Sequence, residues 1–292
     1  MEGGVRVLIL GAGGLTGRYL VKESRRRGME VTGLTRQDLD ITLPDVARAT
    51  LLKFKPDQVV NAASLTRLER CEEDPVASRS INTTAPADWA KECGKADVRF
   101  VHLGTDYIFD GTKTTAYLPE DSPAPLSRYG QDKAAGEKAV LLANSQALIV
   151  RLAWVFGHGG STFMSQLPGI LAEREVVELA GGRRGSCTYA AEAARIILDL
   201  AGGDARGIFH GVQNGETTWK GFAEKAAGLM RGRGAKVACR EIRELPADRI
   251  PGLKVARPAF SPLDMHKTET FLGRKIPDWV QGLEEYLAEI GF

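Results

Sequence analysis

Scarcity narrows this sequence before any motif does. Its 292 residues hold only four cysteines, Cys71, Cys93, Cys187 and Cys239, far apart and without a Cys-x-x-Cys pair. That pattern offers neither a zinc knuckle nor a disulfide framework and fits free thiols in a reducing cytoplasm. The four histidines lack the spacing of a metal site. No sign of charge dominates: 39 Lys and Arg against 37 Asp and Glu leave +2, too balanced for nucleic acid or a membrane surface to be the main partner. The apolar run after Met1-Glu2-Gly3-Gly4, Val5 to Leu10, has six residues, too few for a signal-peptide core or a membrane span. There is no internal repeat, and the one low-complexity patch, Arg231-Gly232-Arg233-Gly234, reads as a solvated basic loop. The expectation is a cytoplasmic protein with no nucleic-acid or membrane partner and no bound metal.

What is present has a regular order. Val5 to Leu10 reads as a strand buried on both faces of a parallel sheet. Gly11-Ala12-Gly13-Gly14-Leu15-Thr16-Gly17 follows at once, and then a helix-like stretch to Arg27 that stops at Gly28. In the context strand, glycine-rich turn, helix, glycines at 11, 14 and 17 let the turn close, let backbone N–H groups approach a pyrophosphate, and let the helix pack on the strand. The next strand, Glu30 to Leu34, ends in Thr35-Arg36, where an NAD-preferring site places an acidic residue for the ribose. An arginine there suits a 2′-phosphate, so NADPH is expected as cofactor, with NADH also possible. Further strands are predicted at Asp57 to Ala62, Arg99 to Leu103, Ala147 to Leu152, Val176 to Ala180 and Ile208 to Val212. Helices are predicted from Thr42 to Lys55, Asp74 to Gly94, Tyr129 to Ala143, Tyr189 to Leu200, Trp219 to Met230 and Trp279 to Ile290. The proline-bearing loop between Gly111 and Ser127 is longer than most connections, which favours a functional loop.

Tyr129 and Lys133 lie four residues apart at the start of a predicted helix, hence on one face. A lysine ammonium near a phenol favours the phenolate and draws its pKa from about 10 toward working pH, where proton exchange is efficient. Tyr-x-x-x-Lys also occurs by chance in many helices, so its weight comes from its company. His102, inside a predicted strand, reads as a packed core histidine rather than a base.

That company resembles a family. Gly11-x-x-Gly14-x-x-Gly17, Asn61-Ala62-Ala63, Thr105-Asp106-Tyr107-Ile108-Phe109-Asp110-Gly111, Tyr129-Gly130-x-x-Lys133-x-x-Gly136-Glu137 and Arg151-x-x-Trp154-Val155-Phe156-Gly157 resemble the extended short-chain dehydrogenase/reductases. Looser matches run through Gly185-Ser186-Cys187-Thr188 to Arg257-Pro258-Ala259-Phe260-Ser261. Within that superfamily the pattern is similar to the dTDP-4-dehydrorhamnose reductases. The resemblance implies an α/β fold, a doubly wound Rossmann-like parallel sheet with a smaller C-terminal α/β substrate domain. Residues 1–155 would form the NADP(H)-binding domain, about 185–215 would return to it, and 156–292 would mainly bind the nucleotide-sugar.

The resemblance further implies that Tyr129 donates a proton, Lys133 holds the nicotinamide ribose and Thr105 positions the substrate carbonyl. Gly11, Gly13, Gly14, Leu15, Gly17, Arg36, Asp40, Ile41, Ala62 and Ala63 would lie along the cofactor with Tyr129 and Lys133. Thr66, Thr105, Asp106, Tyr107 and Trp154 would meet the sugar, and Arg257 the diphosphate. The implied partner is a dTDP-linked 4-keto-6-deoxyhexose, the implied product dTDP-L-rhamnose, and the chain a monomer or homodimer. Three departures stand out: Gly104 and Ala153 where serine is frequent, and Cys187 where proline is frequent, in the loop expected to face the sugar. Leu15 also replaces a carboxylate on which some members build a metal-bridged dimer. Two other readings stay open at this level. Regulatory subunits resembling the methionine adenosyltransferase β subunit share much of the motif string, and other nucleotide-linked 4-keto-6-deoxysugars could be the substrate.

Overall fold

In the computed structural model, which describes residues 4–250 and 253–292, six strands make one parallel sheet. They are β1 (Arg6–Leu10), β2 (Glu30–Leu34), β3 (Gln58–Asn61), β4 (Arg99–Thr105), β5 (Leu148–Leu152) and β6 (Gly207–His210), in spatial order β2-β1-β3-β4-β5-β6. Strand side chains alternate between faces, and here both faces are apolar. Val7, Ile9, Val60, Val101 and Val150 enter one cluster; Leu8, Leu10, Val59, Phe100 and Ile149 enter another. A strand buried on both sides reads as an unbroken apolar run, which is why these segments stand out in the sequence.

Helices α1 (Leu15–Arg26), α2 (Val46–Phe54), α3 (Ala85–Lys95), α4 (Arg128–Ala143) and α5 (Ala190–Gly202) cover the two faces. Tyr19 and Leu20 of α1 join Ala193, Ile196 and Ile197 of α5 on the first; Leu51, Trp89 and Val140 of α2, α3 and α4 pack on the second. Strand order reverses between β1 and β3, so a crevice opens at their carboxyl ends, the usual ligand position in such sheets. The remaining chain forms a three-stranded sheet (Thr217–Thr218, Arg184–Gly185, Phe260–Ser261), a parallel pair (Val176–Ala180 with Glu241–Leu245) and further helices. Among the described residues no helix is long and apolar enough to cross a membrane.

Several elements differ from expectation. The predicted helix from Asp74 runs unbroken from Pro75 to Lys95, but it widens into a π turn at Ser80–Thr84 ahead of α3. Pro86, in the first turn of α3, has no N–H to give the carbonyl of Asn82, so the regular ladder cannot run through. Helices at Leu68–Glu73, Phe163–Glu173 and His266–Leu272 were not anticipated. The second carries Pro168 inside it, a residue that argues against helix in a sequence. The long loop is strapped down: Tyr117 stacks on Phe109 with centroids 4.0 Å apart, and its hydroxyl accepts the N–H of Gly111 and donates to Asp110.

Two polar ties hold distant pieces. Tyr19 of α1 and Tyr189 both donate to Glu289 in the helix Trp279–Glu289, and the phenolic oxygen of Tyr19 accepts the N–H of His158. The other tie is Arg151 of β5, paired with Glu137 of α4 at 2.9 Å and donating to the Pro119 carbonyl at 3.0 Å. Gly104 makes room for it, since a Cβ there would lie 2.4 Å from the Glu137 carboxylate. The side missing at Gly104 therefore faces this ion pair rather than the floor of the site. Because both charges are buried, Glu137→Ala leaves Arg151 uncompensated and is expected to cost about 3 to 5 kcal/mol, whereas a Glu137→Leu/Arg151→Met double variant recovers most of that loss. Urea unfolding of the three chains checks this; equal midpoints for wild type and Glu137→Ala would contradict it.

Candidate active site

The glycine-rich turn is shaped by contact as much as by flexibility. Gly11 has φ +75°, and a Cβ on it would lie 2.6 Å from the backbone nitrogen of Ala63; a Cβ on Gly17 would lie 2.2 Å from the Gly11 carbonyl. Ala62 and Ala63, just past β3, are thus pressed against the turn at the crevice between β1 and β3. Helix α1 starts from Gly14 with no side-chain cap and no acidic residue in its first turn. Its leading N–H groups and positive dipole end are uncommitted, which fits an anionic phosphate group. A Cβ on Gly13 would lie 3.4 Å from the Thr35 methyl, and Leu15 packs beside Gly160.

Past β2, Asp38 accepts from the N–H and hydroxyl of Thr35, so that carboxylate is committed to its own turn. Arg36 is exposed and makes no ion pair among the described residues. Asp40 accepts from Thr42, and the Ile41 carbonyl accepts from the Trp89 indole.

The second group gathers where β4 ends. The Thr105 hydroxyl accepts the N–H of Tyr107 and donates to Asp106, each at 3.3 Å. Helix α4 is capped by Ser127, whose hydroxyl accepts the N–H of Gly130, a recurrent N-terminal device. This places Tyr129 in its first turn, 7% exposed, edge-on to Tyr107 at 5.7 Å. Gly130 permits the approach, since a Cβ there would lie 2.2 Å from the Tyr107 carbonyl. Burial pushes the Tyr129 phenol above its ordinary value, opposed by the Thr105 and Ser64 hydroxyls. The ammonium of Lys133 was expected to lower it. Instead, desolvation dominates, and Lys133 Nζ turns to the Leu103 carbonyl (2.5 Å) and His102 Nε2 (3.1 Å). The same burial pushes Lys133 down to about 8, with Glu137 opposing.

The third group faces Tyr107. Asp106 accepts from the Ser261 hydroxyl at 2.7 Å. Arg257 reaches Glu69 at 3.3 Å and the Val255 carbonyl at 3.0 Å, so it does pair with a carboxylate, one from the segment after β3. Arg183 lies over the Trp219 ring at 5.5 Å, and its Nη1 is buried without a hydrogen-bond partner among the described residues. Its charge and that of Arg257 both act on the Tyr107 phenol. Trp154 has φ +37°, rare for a bulky residue and a mark of a constrained position; its indole packs edge-on to Trp219 at 6.2 Å and lies over Gly185. Thr66 is exposed on a loop whose neighbour Leu65 is held at both its N–H and carbonyl by the Asn82 carboxamide. Cys187, expected to face the sugar, is instead fully buried in the core.

Sequence reasoning gave no role to Arg183, Ser64 or Ser261, and read His102 as plain core. An arginine just before Gly185-Ser186 and a serine closing the Arg257 segment were the available signals. A separate cavity of about 740 Å³ lies among Arg6, Asp57, Glu92 and Lys95, at the amino ends of the strands, where Arg6–Asp57 and Lys95–Glu92 already pair.

Burial raises Asp106 from 3.8 to about 6, with Ser261 and Thr105 opposing. A raised carboxyl stabilises the folded chain fully only below its unfolded pKa, and that contribution fades as pH climbs through about 6. Ser261→Ala removes a donor to the charged form and should move the titration higher, read by carboxyl ¹³C NMR. A carboxyl titrating near 3.8 and indifferent to the substitution would contradict the assigned environment.

Known proteins resemble this chain in sequence and fold. The family model described as the RmlD substrate binding domain matches residues 5–292. The chain is 36% identical over 259 residues to the dTDP-4-keto-6-deoxy-D-glucose reductase of Streptomyces niveus, covering 88% of each chain. It is 30% identical over 288 residues to the dTDP-4-dehydrorhamnose reductase of Mycolicibacterium smegmatis, covering 98% of this chain and 86% of that one. The solved dTDP-4-dehydrorhamnose reductase of Bacillus anthracis, in complex with NADP, superposes with a TM-score of 0.89 at 26% identity, over 98% of this chain and 99% of that one. With a family model matched over residues 5–292 and relatives of 30% identity or more along most of its length, the chain belongs to the dTDP-4-dehydrorhamnose reductase family of extended short-chain dehydrogenase/reductases.

Proposed function

We propose that the protein reduces the 4-keto group of a dTDP-linked 6-deoxyhexose with NADPH, converting dTDP-6-deoxy-L-lyxo-4-hexulose to dTDP-L-rhamnose. The observation that carries this is the buried Tyr129 phenol beside the Thr105 and Ser64 hydroxyls, at the carboxyl end of β4. A reductase needs a protonated acid at the carbonyl oxygen, and burial keeps the phenol in that form. Tyr129 gives its proton to the developing C4 alkoxide, Thr105 orients the carbonyl, and Lys133 flanks the ribose. The bound nicotinamide would supply the hydride. Gly11, Gly13, Gly14, Leu15 and Gly17, with Ala62 and Ala63, seat the pyrophosphate side, while Asp40 and Ile41 serve the adenosine side.

Exposed Arg36, with no free carboxylate beside it, serves a 2′-phosphate. Thr66, Asp106, Tyr107 and Trp154 line the sugar, with aromatic faces for its C–H surfaces. Arg257 and Arg183 together carry more positive charge than Glu69 offsets, which suits the diphosphate, and arginine grips phosphate through paired donors. In this reading residues 1–155 with about 185–215 hold the cofactor, and the rest mainly holds the sugar nucleotide; the chain works in the cytoplasm as a monomer or homodimer.

Tyr129→Phe is expected to cut kcat by about 10² to 10⁴ while leaving NADPH affinity nearly intact, because only the proton donor goes. Near-normal turnover in that variant would remove Tyr129 from the chemistry. Arg36→Ala should cost about 1.5 to 3 kcal/mol of NADPH recognition and little of NADH recognition; an unchanged ratio of kcat/KM for the two cofactors would refute the 2′-phosphate role. The decisive assay follows NADPH absorbance and sugar product together with dTDP-6-deoxy-L-lyxo-4-hexulose, its C3/C5 epimer dTDP-4-keto-6-deoxy-D-glucose, and a UDP-sugar control. The preferred epimer separates rhamnose formation from the reaction named for the Streptomyces niveus relative. No oxidation with any of them, by protein that binds NADPH, would reject the reductase reading.

A further inference from the structure

Three polar side chains stand in line behind the floor of the site. Asn61 at the end of β3, His102 in β4 and Lys133 in α4 are 1%, 0% and 2% exposed. Asn61 Nδ2 lies 3.2 Å from His102 Nδ1, and His102 Nε2 lies 3.1 Å from Lys133 Nζ. At one end, Asn61 Oδ1 accepts the N–H of Ala63 at 3.1 Å, the residue pressed on Gly11. At the other, Lys133 donates to the Leu103 carbonyl at 2.5 Å.

The polarity of this line is set from the Ala63 end. A backbone N–H can only donate, so the carboxamide oxygen of Asn61 faces Ala63 and its NH₂ faces His102. Nδ1 of His102 is then an acceptor. Burial keeps the ring neutral, and a neutral ring that accepts at Nδ1 carries its proton on Nε2. That Nε2–H points at Lys133 Nζ. An ammonium has no lone pair with which to accept it; an amine does.

We propose that His102 is a positioning residue for Lys133: once the lysine of the free enzyme is deprotonated, His102 donates Nε2–H to Nζ, holds the amine against the Leu103 carbonyl, and ties it through Asn61 to the turn that seats the cofactor. The functional meaning of this tie rests on the reading of Tyr129 and Lys133 as the reductase pair. The surroundings agree. Among the groups around the lysine, Glu137, one turn along α4, favours the ammonium, but it is engaged by Arg151 of β5. Tyr129 shares the helix and is kept protonated by burial. From β3 the Asn61 amide reaches His102 rather than Lys133 itself and does not titrate. Protonation of Lys133 removes the lone pair that His102 donates to, so the charge on the lysine and the seating of the 61–63 turn are coupled.

The test begins with ¹⁵N-histidine spectra of the full-length, cofactor-free protein above the lysine pKa. A bare Nδ1 and a protonated Nε2 on His102 are expected; an Nδ1–H tautomer would overturn the proposal. Asn61→Asp replaces the NH₂ by a second acceptor, which should flip the ring to Nδ1–H and leave Nε2 free to accept from an ammonium. The lysine limb of the kcat/KM profile should then move up by roughly one pH unit, the equivalent of one hydrogen bond. His102→Phe should lose roughly tenfold in kcat/KM for NADPH, while His102→Gln, whose amide can still donate, stays within about threefold of wild type. If His102→Phe fails to fold, the spectra and Asn61→Asp decide. Active variants that keep the wild-type pH limb and cofactor KM would reduce His102 to packing. A wild-type enzyme that reduces none of the dTDP-sugars would instead sink the functional reading, and the tautomer would still be read from the spectra.

Discussion

Burying an amino group costs several kcal/mol unless its hydrogen bonds are met, and Lys133 is 2% exposed. Much of the site follows from how that demand is met. Nζ must reach the Leu103 carbonyl and His102, so α4 has to lie close on β4 and on the turn beneath it. Gly130 and Gly136 allow this, because a Cβ at either would lie 2.2 Å from a carbonyl oxygen, of Tyr107 and of Asn82. The Asn82 carbonyl is exposed to that approach because Pro86 offers no N–H to it. The same dry surroundings act on every ionisable group present, pushing Lys133 down to about 8 and both Tyr129 and Asp106 up. Desolvation favours whichever form is neutral, so one environment keeps the Tyr129 phenol protonated and brings the titrations of Lys133 and Asp106 close to neutral pH.

What the sequence disclosed was local chemistry. The strand β1, the glycine turn and α1 were legible because each depends on neighbours in the chain: a two-sided apolar run, glycines where backbone must touch backbone, an amphipathic stretch. Tyr129 and Lys133 were legible as a four-residue step on a helix. What Lys133 would touch was not, since His102 and Leu103 lie on another strand and the spacing alone suggested the phenol. Gly104 looked like a missing hydroxyl and proved to be space for the Glu137–Arg151 pair. Phe163–Glu173 was hidden by its internal proline, and Arg183 by the absence of any local reason to single out one arginine among many. In each case the deciding partner is distant in sequence.

The arginine-lined end of the cleft shows the converse. Arg257 is 11% exposed at its side chain and shares Glu69, while Arg183 has a buried Nη1 with no acceptor among the described residues. A charged donor left unmet is destabilising in the free protein. In the proposed function an incoming diphosphate would supply the missing acceptor. Affinity would then be concentrated away from the reacting carbon, where it would fix register without stabilising the ground state at C4.

The Tyr19–Glu289–Tyr189 knot bears on when the fold can close. Tyr19 and Glu289 are 270 residues apart, and the phenol that joins them also receives the N–H of His158, whose neighbours Gly159 and Gly160 lie against Arg18 and Leu15 at the start of α1. The first helix therefore has one wall furnished by the middle of the chain and clamped by its last helix. Contacts of such long separation carry the largest loop-closure entropy and form late. The flank of α1 beside its glycine turn is thus complete only when Trp279–Glu289 is docked, so loosening that helix would loosen the turn's surroundings as well.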